Sequence, residues 1–107
     1  GILTNSGSSS NLLMMTALTS KRGHHLPKGT KVITPACTFS TTLAPIIQLG
    51  LVPVFVDVDL NTYVANVEEV LAAVTDEVKV LMLPNLIGNK PDWKAIKEGL
   101  VAVGVLP

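Results

Sequence analysis

Apolar residues fall along this chain in blocks punctuated by Gly, Pro, Asn and Ser. Short Val/Ile/Leu runs between turn formers predict buried strands, and longer segments with apolar residues three and four apart predict helices. Ile2–Leu3–Thr4 predicts the end of a strand, and Asn5 to Ser10 a tight turn of small residues. A helix follows from about Ser10 to Ser20. Its Leu12, Leu13, Met14, Met15, Ala17 and Leu18 are apolar nearly all round, which predicts a buried helix. Lys21 and Arg22 suit its negative end, and Gly23 suits the C′ position.

Beyond a Pro27/Gly29 loop, Lys31 to Pro35 predicts a strand and Phe39 to Leu49 a helix. Pro45 requires that helix to start close by or to kink. Pro53 to Val58 is the clearest strand, ending in Asp57-Val58-Asp59. Asn66 caps the next helix, with Glu69 as its capping-box partner, and that helix runs to about Val74. Val78 to Leu83 predicts another strand and Pro84 to Lys90 a loop. A last helix opens at Pro91 or Asp92 and runs through Ile96 to Leu100.

The order β-α-β-α-β-α-β-α predicts an α/β fold: a mostly parallel sheet between helices, three layers in all. Composition agrees. Hydrophobic residues make up 48% of the chain but aromatics only 4%, the aliphatic content expected of a sheet covered on both faces. Charged residues at 15% exclude intrinsic disorder. The single Cys37 excludes a disulfide framework and fits a reducing, cytoplasmic compartment. A length of 107 residues allows one domain at most. Gly1 opens the chain and an apolar run, Leu100 to Leu106, closes it before Pro107. Neither end looks finished, so residues 1–107 are expected to be part of a larger domain.

Charge adds little. Residues 1–56 hold four basic and no acidic side chains, while residues 57–107 hold the eight acidic ones and four lysines. The basic four form no stripe and have no interleaved aromatic, which argues against nucleic acid as a partner. Residues 32–56 carry no charge, but Pro35, Pro45, Gly50 and Pro53 break them into strand–helix–strand, so no membrane span is expected.

In open α/β sheets ligands bind beyond the carboxyl ends of the strands. The first such end is Asn5-Ser6-Gly7-Ser8-Ser9. A small-residue turn entering a helix exposes free N–H groups at the positive helix end. Gly7 permits close approach, and Ser8 and Ser9 add hydroxyls, so the turn suits a phosphate. It is neither a P-loop nor a Gly-x-Gly-x-x-Gly fingerprint, and the same residues also make an ordinary Ser N-cap. Phe39, just past a strand, can stack on a flat ring or fill the core. Asp57 and Asp59 suit a turn or cap, and with no His or Cys beside them no metal site is expected. His24 and His25 read as solvated, Cys37 as a buried small hydrophobe, and Trp93 as packing its helix onto the sheet.

Taken as an ordered set, Asn5-Ser-Gly-Ser-Ser-Ser-Asn-Leu-Leu, Lys31-Val-Ile-Thr-Pro-Ala, Thr38-Phe-Ser-Thr-Thr, Pro45-Ile-Ile and Gly50-Leu-Val-Pro-Val-Phe-Val-Asp-Val-Asp with Thr62-Tyr63 resemble the large domain of fold-type I pyridoxal-phosphate enzymes. Within that fold they resemble the DegT/DnrJ/StrS group acting on nucleotide sugars. Ser-Gly-Ser-Ser-x-Asn and Leu86-Ile-Gly-Asn are most similar to the branch of 4-keto-6-deoxy-sugar 3-dehydrases and related lipopolysaccharide-sugar enzymes. The resemblance implies that Gly7, Ser8 and Ser9 hold the phosphate of pyridoxal (or pyridoxamine) phosphate and that Phe39 stacks on its ring. Asn85 is a further candidate for contact with cofactor or sugar. It implies an aminotransferase or dehydrase, a homodimer at full length, with a nucleotide-sugar substrate. The pyridinium-pairing Asp and the Schiff-base Lys (His in the 3-dehydrases) have no counterpart in these 107 residues, and no catalytic residue is assigned. Of the lysines, only Lys90 could lie near the carboxyl edge. Thr30-Lys31 replaces an acidic pair usual after Pro-x-Gly, a change expected at the surface only. The resemblance also separates the first strand from the next three, so Ile2–Asn5 is expected to fray. Another fold-type I enzyme (aldolase or desulfurase type) and a non-catalytic phosphate-binding α/β module remain as alternatives.

Overall fold

The computed structural model describes all 107 residues, Gly1–Pro107. The elements are α1 (Gly7–Thr19), β1 (Lys31–Pro35), α2 (Ser40–Gln48), β2 (Val52–Val56), α3 (Val67–Ala73), β3 (Val78–Leu81) and α4 (Trp93–Ala102), with a single 3-10 turn at Leu86–Gly88. The sheet has three strands in the order β2-β1-β3, all parallel. Ile33 stands opposite Val54 on one side and Leu81 on the other.

Alternation along β1 divides the core in two. Ile33 joins Val56, Val70, Ile96 and Leu100, the face covered by α3 and α4. Val32 joins Met15, Ile46 and Leu51, the face covered by α1 and α2. The architecture is therefore three-layered, as the alternating pattern predicts, and β1 is its centre: Val32, Ile33 and Thr34 have no exposed surface. Each such fully buried aliphatic side chain contributes roughly 1.5–3 kcal/mol.

The caps explain where the helices begin. Ser6 Oγ accepts from Ser9 N at 3.2 Å, so α1 starts at Gly7, three residues earlier than the apolar pattern predicts. Asn66 accepts from Glu69 N and Asp92 from Ala95 N, each at 3.0 Å. The predicted capping box is half formed: Glu69 Oε2 accepts from the Asp57 amide at 3.4 Å, while the Asn66 amide donates to Asp57 O.

Several expectations are corrected. Ile2–Thr4 forms no strand and Leu3 is 100% exposed: β2 and β3 each pair only with β1, and neither outer edge takes the segment up. The helix α1 is not buried all round. Met15 alone is buried, while Leu12, Leu13 and Met14 are exposed, because α1 packs on α2 along one side only. Ser20, not Gly23, caps α1, and its extended backbone ends the helix before Lys21 and Arg22. Trp93 opens α4 at the surface, and Ile96 and Leu100 pack that helix instead. Cys37 is exposed, since it sits in the bend beyond β1 where no element covers it. Thr30 is buried with Oγ1 donating to Pro27 O at 2.7 Å, and Lys31 pairs with Glu77, so this stretch does more than decorate the surface.

Candidate functional site

Parallel strands send their carboxyl ends to one edge. There the structure places the bend Ala36–Phe39 after β1, the Asp57–Asp59 segment after β2 and Asn85 after β3. The turn Asn5–Ser6 enters α1 and delivers Gly7, Ser8 and Ser9 as the first turn of that helix. The amides of Gly7 and Ser8 have no acceptor within the chain, as expected for the first residues of a helix. A Cβ built on Gly7 meets nothing within 4 Å. The site therefore combines two free N–H donors, an open approach and the positive end of a helix dipole, which together favour an anion.

The serine hydroxyls differ. Ser8 Oγ donates to Thr41 Oγ1 at 2.8 Å across to α2. Ser9 Oγ accepts from Ser6 Oγ at 3.2 Å, which leaves its own proton available. Thr41 is reached a second time from α1, by Asn11 Nδ2 donating to its carbonyl at 3.2 Å. Ser8, Thr41 and Pro45 help line a cleft of about 210 Å³ between the two helices.

Phe39 is the N-cap residue of α2 with no side-chain cap bond, and the residue is 65% exposed. The core alternative for this residue is thus excluded. Just before it, Thr38 Oγ1 is buried without a partner, as is Thr34 Oγ1 on β1. These are two uncommitted hydroxyls at the carboxyl end of the central strand. Asn85 is exposed and its side chain makes no hydrogen bond, and the structure links it to none of the other candidates. Ile87 follows it at φ 51°, a left-handed conformation in which a β-branched residue is strained. Asp59 takes the turn role, its carbonyl accepting from Tyr63 N at 3.0 Å, while its carboxylate accepts at 2.7 Å from Nδ2 of Asn66, the residue that caps α3. His24 and His25 are exposed. No group of three or more His, Cys, Asp or Glu side chains could hold a metal, and no helix is long and apolar enough to cross a membrane.

The largest cavity, about 610 Å³, lies elsewhere, beside β2 and α3. Asp57, Glu68 and Glu69 line it, so it repels phosphate and does not compete with the α1 turn as an anion site. Thr41 and Asn11 are the site residues that sequence reasoning missed. The available signal was Pro45, whose missing amide leaves the carbonyl four residues earlier in need of a donor.

The DegT/DnrJ/EryC1/StrS aminotransferase family matches residues 1–105. The dTDP-4-dehydro-2,6-dideoxy-D-glucose 3-dehydratase of Saccharopolyspora spinosa is 52% identical over 89 residues, covering 81% of this chain and 19% of that protein. The lipopolysaccharide biosynthesis protein RfbH of Salmonella typhimurium is 51% identical over 90 residues, covering 82% and 21%. Among solved structures, E. coli GDP-4-keto-6-deoxy-D-mannose-3-dehydratase with bound hydrated PLP superposes with a TM-score of 0.88 at 37% identity, over 98% of this chain and 27% of that one. The chain spans about a fifth of the length of the curated relatives it matches.

Proposed function

The chain belongs to the DegT/DnrJ/EryC1/StrS aminotransferase family, and from that premise we propose that it is the cofactor-phosphate-binding part of a pyridoxal-phosphate enzyme acting on nucleotide-linked keto-deoxy sugars. The observation that carries the reading is the first turn of α1: two unpaired amides beside an unobstructed Gly7. The donor set fits a phosphate monoester. Gly7 N and Ser8 N would hold its oxygens, Ser9 Oγ would add a third donor, and the helix dipole favours the charge. Phe39, already exposed, would cover one face of the ring. Asn85 is the remaining polar candidate at the same edge.

Pyridoxal phosphate supplies an electron sink that weakens bonds at a carbon attached to it. This chain's residues bind and orient: the α1 turn fixes the phosphate, and Phe39 excludes water from one ring face. The residues that pair with the ring nitrogen and carry the reacting Lys or His lie outside these 107. Dehydration at C3 of a 4-keto sugar is favoured over transamination by the relatives named 3-dehydratases, at 52% identity in Saccharopolyspora spinosa and 40% in Escherichia coli. The reading includes a cytoplasmic, homodimeric parent enzyme.

A titration of the ¹⁵N-labelled 107-residue chain tests the assignment. Pyridoxal phosphate and inorganic phosphate should shift the Gly7, Ser8 and Ser9 amides with an affinity of about 1 mM, what a few exposed hydrogen bonds support. The chain should turn over no sugar substrate. Shifts confined to the lysine amides, or equal shifts from phosphate-free pyridoxal, would overturn the reading.

A further inference from the structure

Pro45 lacks an amide hydrogen, so the carbonyl four residues earlier in α2, that of Thr41, receives no backbone donor from that position. Asn11 supplies the missing donor through Nδ2 at 3.2 Å. One turn earlier on α1, Ser8 Oγ reaches Thr41 Oγ1 at 2.8 Å. Residues three apart share a helix face, so both bonds leave one side of α1 and end on one residue of α2. Pro45 is buried beside them, and there an unmet carbonyl costs more than it would in water.

We propose that Asn11 and Thr41 are positioning residues: through the carbonyl that Pro45 leaves free, they fix the phosphate-binding turn Gly7–Ser9 at a set distance from Phe39. The proposal rests on the reading of that turn and of Phe39 given above. Ser8 directly follows Gly7, and Thr41 lies two residues beyond Phe39, so the bolt joins the two halves of the site near their working ends. Nothing upstream does this work, because residues 1–6 are exposed and pair with no strand. A bond made only to satisfy the Thr41 carbonyl could be replaced by any other donor to that oxygen. Pro45→Ala supplies such a donor four residues later, but that amide ties α2 to itself and not to α1, so it cannot replace the bolt.

Cys37, the single cysteine, is exposed and two residues from Phe39, so a spin label there reports the separation directly. In the full 107-residue chain it should broaden the Gly7 and Ser8 amide signals. Asn11→Leu should lose much of that broadening, and Asn11→Leu with Pro45→Ala should not regain it. Inorganic phosphate and pyridoxal phosphate, titrated into the same samples, should bind about fivefold more weakly to Asn11→Leu, the worth of one hydrogen bond, and equally weakly to the double variant. No broadening in the parent chain, unchanged broadening in Asn11→Leu, measurable and equal binding by the parent chain and Asn11→Leu, or full recovery with Pro45→Ala overturns the proposal. If no ligand moves Gly7 or Ser8 in any variant while the broadening follows the expected order, the bolt stands and the phosphate reading falls. Should Asn11→Leu lose its folded spectrum, Asn11→Ala, which removes the same donor without added bulk, carries the comparison, and unchanged broadening there overturns the proposal.

Discussion

Gly7→Ala separates what the first turn of α1 does for the fold from what it does for a ligand. Gly7 is helical with no positive φ, and an added methyl group meets no atom within 4 Å. The folded chain therefore accommodates Ala without strain, and the unfolded chain loses freedom. The expected gain is about 0.4–1 kcal/mol, roughly a two- to fivefold rise in the folding constant. The same methyl stands in the approach that an anion needs to reach the Gly7 and Ser8 amides. Losing one charge-assisted hydrogen bond costs about 1.5–3 kcal/mol, so phosphate affinity should fall by about tenfold or more. Urea unfolding followed by circular dichroism measures the first effect, and amide shifts under phosphate titration measure the second. A variant that gains stability and loses phosphate meets the expectation. Undiminished phosphate binding by Gly7→Ala refutes the assignment of this turn, and a loss of stability refutes the open space above it.

Three further substitutions probe the packing that carries the site. Gly23→Ala should destabilise by about 1–3 kcal/mol in the same urea assay, because its methyl would lie 2.1 Å from the backbone oxygen of Ala17, which cannot swing aside. Ile96→Ala, at a position with no exposed surface, should cost about 2–5 kcal/mol and abolish cooperative unfolding of the α3/α4 side if that layer is real. Ile87→Gly should stabilise by about 1 kcal/mol, since a β-branched residue at φ 51° and 74% exposure is strained and packs against nothing; a destabilised Ile87→Gly would mean that the side chain has a contact the fold does not account for.

The layers were legible because their causes are local and repeated. Lys31 to Pro35 is bounded by turn formers on both sides and forms the strand read from it. The Val32/Ile33 alternation fed both core clusters. Asn66 and Asp92 cap the helices that their positions predict. The first strand was not legible as unpaired from its own residues: Ile2 and Leu3 carry strand propensity, but propensity forms no strand without a neighbour. Likewise α1 looks buried on every side by composition, yet burial is set by what covers a helix, and here α2 and the Val32 face of the sheet cover only the side that carries Met15. Trp93 and Cys37 failed for a related reason. Residue type predicts burial only on average, and both sit at element ends beyond the reach of the layers. At the site, Phe39 at the start of α2 followed from the punctuation of the sequence, whereas Gly7 and Ser8 read as a turn before α1 and form its first turn instead, because the Ser6 cap starts the helix there. The cross-helix bonds to Thr41 did not, because they join positions about thirty apart that only the fold brings together.

The central claim is that these residues grip the phosphate of pyridoxal phosphate for a sugar-modifying enzyme. Its most direct test replaces the matching quarter of E. coli GDP-4-keto-6-deoxy-D-mannose 3-dehydratase with this chain and measures cofactor retained per subunit. The chimera should hold pyridoxal phosphate near one per subunit, and the same chimera carrying Gly7→Ala should release it. A folded chimera that cannot be loaded, or one that retains the cofactor equally well with Gly7→Ala, would contradict the account.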